Sequence, residues 1–211
     1  MLGRAPRPPL LARVPLREGE DGRPGTLDRE SLDAMLELLS QIGPGVVLVT
    51  GDEQRSELAV GLAAAAVAAG RRAALVECEL AEPGLASRLE LDPAPGFGEY
   101  LAHEAEAAEV LQAAILAGPG STLAAAPLVC VVAGRATELG PVLFASESYR
   151  HAIEKLRAAY DLVVLDGPSI EDEGSLEAAA LRADRVLACC SRSRVPRRLR
   201  GAVDGVVEAI S

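Results

Sequence analysis

The chain has 211 residues, 49% hydrophobic and 25% charged, which fits one globular domain and excludes wholesale disorder. With 21 basic against 31 acidic residues the net charge is −10, arguing against a general nucleic-acid binder, because phosphate affinity comes from clustered Lys and Arg. The longest apolar run, residues 58–69, is too short to span a bilayer, and the N-terminus, broken by Pro and Arg, has no signal-peptide core, so a cytoplasmic location is expected.

Residues 1–26 are rich in Pro, Gly and Arg and read as a partly ordered arm lying over a single domain of residues 27–211. Apolar residues at helical spacing mark a helix over residues 27–42, capped by Asp28 or Ser31 and ended by Gly43-Pro44. Val46-Val47-Leu48-Val49 is a continuous apolar run, as in a strand buried on both faces of a parallel sheet. A polar turn from Gly51 to Arg55 leads into an Ala-rich helix that Gly70 stops, and residues 73–78 read as the second strand. Short helices are expected within 84–91 and 98–116, and a third strand over 128–133. An amphipathic helix over 141–160, a fourth strand over 162–165, a helix over 175–182, a fifth strand over 185–190 and a closing helix over 196–210 complete the pattern.

Strands alternating with helices predict a three-layer, doubly wound, mostly parallel α/β sheet. In such folds ligands sit at the carboxyl ends of the strands, which selects Gly51 to Ser56, Glu77 to Glu79, Gly134-Arg135 and Asp166 to Ser169. The first of these, T-G-D-E-Q-R-S, is two residues shorter than a G-x-x-x-x-G-K-[ST] phosphate loop. Gln54 stands for the second glycine and Arg55 for the lysine, while Ser56 keeps the hydroxyl that would hold Mg²⁺. Asp52 and Glu53 fall where a polyphosphate would sit, each costing about 1–4 kcal/mol at ~4 Å from a phosphate charge.

Gly51, Gln54, Arg55 and Ser56 are therefore the candidate cofactor-binding residues. Glu77, Glu79 and Asp166 are the candidate catalytic acids, vestigial or weak, and Ser56, Glu79 and Asp166 the candidate Mg²⁺ ligands. The competing reading is ordinary acids at solvated strand ends. Cys78, Cys130, Cys189 and Cys190 lack metal-ligand spacing and read as buried free thiols. His103 and His151 read as helix-surface residues in no catalytic arrangement. Arg192, Arg194, Arg197, Arg198 and Arg200 form a basic cluster at the start of the closing helix, read as a solvated face or an acidic-partner site.

Taken in order, these pieces resemble the cytoplasmic domain of bacterial tyrosine kinases of the capsule and exopolysaccharide type, relatives of the Min/Par ATPases with a deviant Walker A loop. The resemblance covers residues 8–210. Glu77-Cys78-Glu79-Leu80-Ala81-Glu82-Pro83 is similar to the family's D-x-D-x-x-x-P, and Pro95-Gly96-Phe97-Gly98-Glu99-Tyr100-Leu101 to its P-G-L-S-D-x-L. Pro141 to Glu147 with Leu156 to Asp161 resembles its L-L-x-S segment and the Y-D run that follows. Asp161 to Pro168 resembles its Walker B strand. The resemblance implies a P-loop NTPase-like fold and a link to exopolysaccharide synthesis or export.

The departures imply a degenerate member. The loop lacks lysine and is about three residues short of the family's S-x-x-x-G-x-G-K-[ST]. Asp33 and Leu36 replace both arginines of the ring-assembly motif that begins near Glu30. The chain is expected to stop before the strand that carries an adenine-contacting Asn, and Tyr100, Tyr149 and Tyr160 are its only tyrosines. The expected function is a pseudo-ATPase or pseudo-tyrosine kinase with no cofactor, a monomer or dimer acting on a protein partner: an active kinase paralogue or a membrane export component. The alternatives are a weak ATPase or tyrosine kinase using Mg-ATP at Arg55, Ser56 and Asp166, and a divalent-cation binder should Glu77, Glu79 and Asp166 converge.

Overall fold

The computed structural model describes residues 6–16, 27–52, 54–115 and 127–210. In chain order they form β1 (Leu10–Pro15), α1 (Arg29–Ile42), β2 (Gly45–Gly51), α2 (Arg55–Ala68), β3 (Ala73–Glu77), α3 (Leu85–Leu89), α4 (Phe97–Leu101) and α5 (Ala107–Val110). Then follow β4 (Gln112–Ala114), β5 (Leu128–Val131), α6 (Gly140–Phe144), α7 (Glu147–Ala159), β6 (Leu162–Ser169), α8 (Glu173–Ala180), β7 (Arg185–Cys189), a 3₁₀ turn (Leu199–Gly201) and β8 (Gly205–Ile210).

The strands make one sheet in the order β1-β8-β7-β2-β6-β3-β5-β4, parallel throughout except for the β4–β5 pair. Successive residues of the central strands face opposite cores, as the two-residue period of a strand requires. Val47, Val49 and Val164 pack with α1 and α2, and Val46, Leu48 and Leu165 pack with Phe97, Phe144, Tyr149 and Leu176. This is the three-layer, doubly wound architecture expected from the alternation of elements.

α2 is buried on nearly every side because it lies between the sheet and α1. Its alanines permit that approach, and at Gly61 an added Cβ would come within 2.6 Å of the Met35 methyl. α1 starts as expected at Asp28, whose Oδ1 accepts the Ser31 amide at 2.7 Å, and the chain leaves it through Gly43 at φ 73°.

Five sequence expectations change. The closing helix over 196–210 is instead the 3₁₀ turn and strand β8: Val203, Val206, Val207 and Ile210 fit a helical spacing, but a site between β1 and β7 turns that β-branched run into a strand. A strand therefore does follow β7, where the chain was expected to stop short of one. Within the N-terminal arm, Leu10–Pro15 is an edge strand of the sheet, parallel to β8, while residues 17–26 lie outside the described residues. Short helices do occur within 98–116, as α4 and α5, but the stretch also holds an unexpected strand, β4, supported by Gln112, whose side-chain amide brackets the Asp92 backbone. The single helix over 141–160 is two, because Ser146 caps α7 by accepting the Tyr149 amide. The fourth strand runs on to Ser169, with the Pro168 carbonyl accepting the Thr50 hydroxyl at 2.8 Å.

Gly51 ends β2 at φ 137°, and a Cβ there would overlap the Cys189 carbonyl. Only glycine lets β2 run this close to β7. Gly51→Ala should therefore cost more than about 3 kcal/mol and lower the melting temperature by about 6–12 °C, read by dye-based thermal unfolding. An unchanged melting temperature would contradict this placement.

Candidate functional site

The carboxyl ends of β2, β3, β6 and β7 converge with the N-terminus of α2, and this convergence brings most of the sequence candidates together. Glu77 and Asp166 are register partners on β3 and β6. Arg55, the first residue of α2, reaches across to both strands: its Nη2 donates to Glu79 Oε2 at 2.8 Å and its Nε to the Gly167 carbonyl at 3.1 Å. The two side chains are only 17% and 10% exposed, so water screens the pair weakly. Glu79 is held further by the Ser169 amide, which shares Oε2 with Arg55 at 3.1 Å, and by the Ala81 amide, which donates to Oε1 at 3.3 Å. Removing one partner of a pair so desolvated costs about 3–5 kcal/mol.

Glu77 is committed elsewhere. Its Oε1 accepts the amides of Gly84 and Leu85 at 2.6 and 2.7 Å, and its Oε2 that of Ala133 at 2.8 Å. It thereby ties the end of β3 to the start of α3 and the segment after β5.

Asp166 is 1% exposed. Burial is the main force on its carboxyl and pushes it up to about 7, against the opposing effects of a hydrogen bond with Ser56 and the charge of Arg55. Its Oδ1 is buried without a partner. Of the fourth place, Arg135 gives its amide to the buried Glu99 at 3.1 Å, and Glu99 also accepts the Gly96 amide at 3.0 Å, which serves to cap α4.

Two amides of the turn that follows β2 are also bonded within the protein. The Asp52 amide donates to the Cys189 carbonyl at 3.1 Å and the Arg55 amide to the Asp52 carbonyl at 3.2 Å. The Asp52 carboxylate pairs with Arg194 at 2.8 Å, Gln54 is exposed, and Glu53 lies outside the described residues. A cleft of about 800 Å³ opens here, lined by Asp52, Gln54, Arg55, Ser169, Arg194 and Glu208 among others.

The arginine cluster does not sit on a helix. Arg192 donates to the Pro8 carbonyl at 3.1 Å, Arg194 holds Asp52, and Arg198 pairs with Glu173, so it clasps the rim of the cleft. All four cysteines are free and buried as expected, with Cys189 pushed up to about 12 and Cys190 to about 11 by burial.

A magnesium–triphosphate fits this set poorly. The residue in the lysine position is turned into Glu79, two amides of the turn are used up by internal carbonyls, and a carboxylate faces the cleft. Among the described residues no three His, Cys, Asp or Glu side chains are grouped to hold a metal ion, so Glu77, Glu79 and Asp166 do not converge as a ligand triad. The segment of β8 beside the cleft, Gly205–Ile210, contains no asparagine.

Sequence reasoning missed Arg194 as the partner of Asp52 and Arg88 as the partner of Glu57 at 2.6 Å, since nothing in the local pattern signals either. It also missed the Ser148–His103 hydrogen bond of 2.8 Å. His103 lies in the turn after α4, at φ 62°, not on a helix, whereas His151 is on the exposed face of α7.

No protein-family model matches the chain. Over 151 residues, 70% of its length, it is 31% identical to the succinoglycan biosynthesis transport protein ExoP of Rhizobium meliloti, and it spans only 18% of that protein's length. Its fold is similar to the kinase domain of the Escherichia coli tyrosine kinase ETK, with a TM-score of 0.72 at 16% identity, covering 85% of this chain and 75% of that one. The chimerical protein CapA2B2 gives a TM-score of 0.77 at 14% identity, covering 95% and 93% of the two chains. The septum site-determining protein MinD of Pyrococcus horikoshii, complexed with Mg-ADP, gives 0.50 at 15% identity over 69% of this chain and 56% of its own. The chain thus has the P-loop NTPase-like α/β fold found in bacterial tyrosine kinase domains and in MinD. No helix of the described residues is long and apolar enough to cross a membrane.

The buried Asp166 carboxyl makes stability depend on pH. Its folded-state value lies above the ordinary 3.8, so from about pH 4 to 7 the unfolded chain releases a proton that the folded chain keeps. Stability from this group is present at low pH and is lost as pH rises toward 7. Asp166→Asn keeps an acceptor for Ser56 and removes the titration. Its melting temperature should exceed the parent's at about pH 8, with the gap closing toward about pH 4. A gap that does not vary with pH would contradict the assignment.

Proposed function

We propose that this chain is a non-catalytic P-loop NTPase-like domain, a pseudo-tyrosine kinase, that acts through a protein partner in exopolysaccharide synthesis or export. The observation that carries the reading is the position of Arg55. In a working phosphate loop the lysine at this point is free to reach the outer phosphates. Here the guanidinium is spent on Glu79 and the Gly167 carbonyl. Arginine is also planar and larger than lysine, so even a released side chain would present a different donor geometry.

The phosphoacceptor side supports the same reading. Tyr149 is buried, with its hydroxyl donating to the Ala179 carbonyl at 2.9 Å, and is shut off from any kinase. A sheet of this type can present a partner surface without turning over nucleotide. The similarity to a succinoglycan transport protein favours a partner of the polysaccharide machinery, either an active kinase paralogue or a membrane export component. Cytoplasmic placement and a monomeric or dimeric state belong to this reading.

The test is phosphotransfer. Incubated with radiolabelled Mg-ATP, the protein should carry no label on Tyr100, Tyr149 or Tyr160, and should release no phosphate beyond the rate of an Asp166→Asn variant. Labelling or turnover that Asp166→Asn abolishes would replace this reading with the weak Mg-dependent kinase or ATPase.

A further inference from the structure

We infer that Arg55 is a built-in substitute for a bound divalent cation, an internal lock that fills the space between the Glu79 carboxylate and the Gly167 carbonyl without a ligand. The inference rests on the non-catalytic reading above and says what has taken the place of the metal.

Three observations carry it. Around the guanidinium are the hard oxygen donors a magnesium ion would use: a Glu79 carboxylate oxygen and the Gly167 carbonyl in direct contact, with Asp166 and its hydrogen-bond partner Ser56 beside them. Magnesium is commonly bound by one or two carboxylates completed by water, so two carboxyl groups and a hydroxyl suffice without a three-carboxylate cluster. Next, Asp166 Oδ1 is buried without a partner, so one donor of this set is not satisfied by the protein. Finally, Glu79 does not rely on Arg55 for its position, since the Ser169 and Ala81 amides grip the same carboxylate. Truncating Arg55 leaves the donor set in place around a vacated position.

The lock has two halves, and removing either one exposes the other. Without the guanidinium the oxygens are open to a cation. Without the Glu79 charge, Arg55, which also lines the cleft, is open to an anion.

The experiment is thermal unfolding of the parent, Arg55→Ala and Glu79→Gln, each with Mn²⁺ alone, inorganic phosphate alone and Mg-ATP. Mn²⁺ at ten times its dissociation constant should raise the melting temperature of Arg55→Ala by about 3–6 °C. Phosphate should raise that of Glu79→Gln, and the parent should respond to neither. If Arg55→Ala fails to fold, Glu79→Gln with phosphate decides. A parent indifferent to all three ligands, with variants that also gain no response, overturns the lock and leaves the non-catalytic reading standing. A parent stabilised by Mg-ATP overturns the non-catalytic reading itself. A parent that responds to Mn²⁺ as strongly as Arg55→Ala shows that the guanidinium blocks nothing, and overturns the lock.

Discussion

The contact between Arg55 and Glu79 is the constraint around which the carboxyl end of this sheet is organised. It joins the first turn of α2 to the segment after β3 and to β6, two strands already paired along their length. Because both side chains are largely withdrawn from water, the pair commits the structure: neither member can turn to a ligand without leaving the other charge buried and unpaired. The neighbouring groups follow the same rule. Glu77 is consumed by three amides, Asp52 by Arg194, and the Asp52 and Arg55 amides by carbonyls of the protein. The site has the layout of a phosphate-binding end of a doubly wound sheet and the wiring of a structural joint.

Around this joint the fold is conventional in its physics. A small-residue helix buried on nearly all sides lets α1 come down on α2, and β2 runs close to β7 through a glycine that no other residue can replace without strain. The rim of the cleft is closed by arginines from the segment after β7, which pair with Asp52 and Glu173. The basic cluster is exposed, as the sequence suggests, and from that exposed face Arg194 and Arg198 reach the acids of the cleft rim.

The central strands could be read from the sequence because burial on both faces demands continuous apolar runs such as Val46 to Val49, and no turn chemistry competes with them. The helices α1 and α7 could be read from their apolar spacing, α1 also from its Asp28 cap, whereas the Ser146 cap that starts α7 could not. β1 and β8 could not, since they pair with each other across nearly two hundred residues and β8 exists as a strand by lying between β1 and β7. The same limit applies to the site. The loss of the lysine and the second glycine is visible in T-G-D-E-Q-R-S, and the retained acids are visible at their strand ends. That Arg55 and Glu79 satisfy each other, that Glu77 is a backbone tie, and that Asp166 keeps an unpartnered oxygen are facts of side-chain direction, which no spacing encodes.

The most direct measurement is calorimetric titration of the unmodified protein with Mg-ATP. The account predicts no saturable heat, because the cationic residue of the turn is already paired and a carboxylate faces the cleft. A stoichiometric isotherm with a dissociation constant below about 1 mM, worth about 4 kcal/mol of binding, would contradict it and show that the Arg55–Glu79 pair opens for nucleotide.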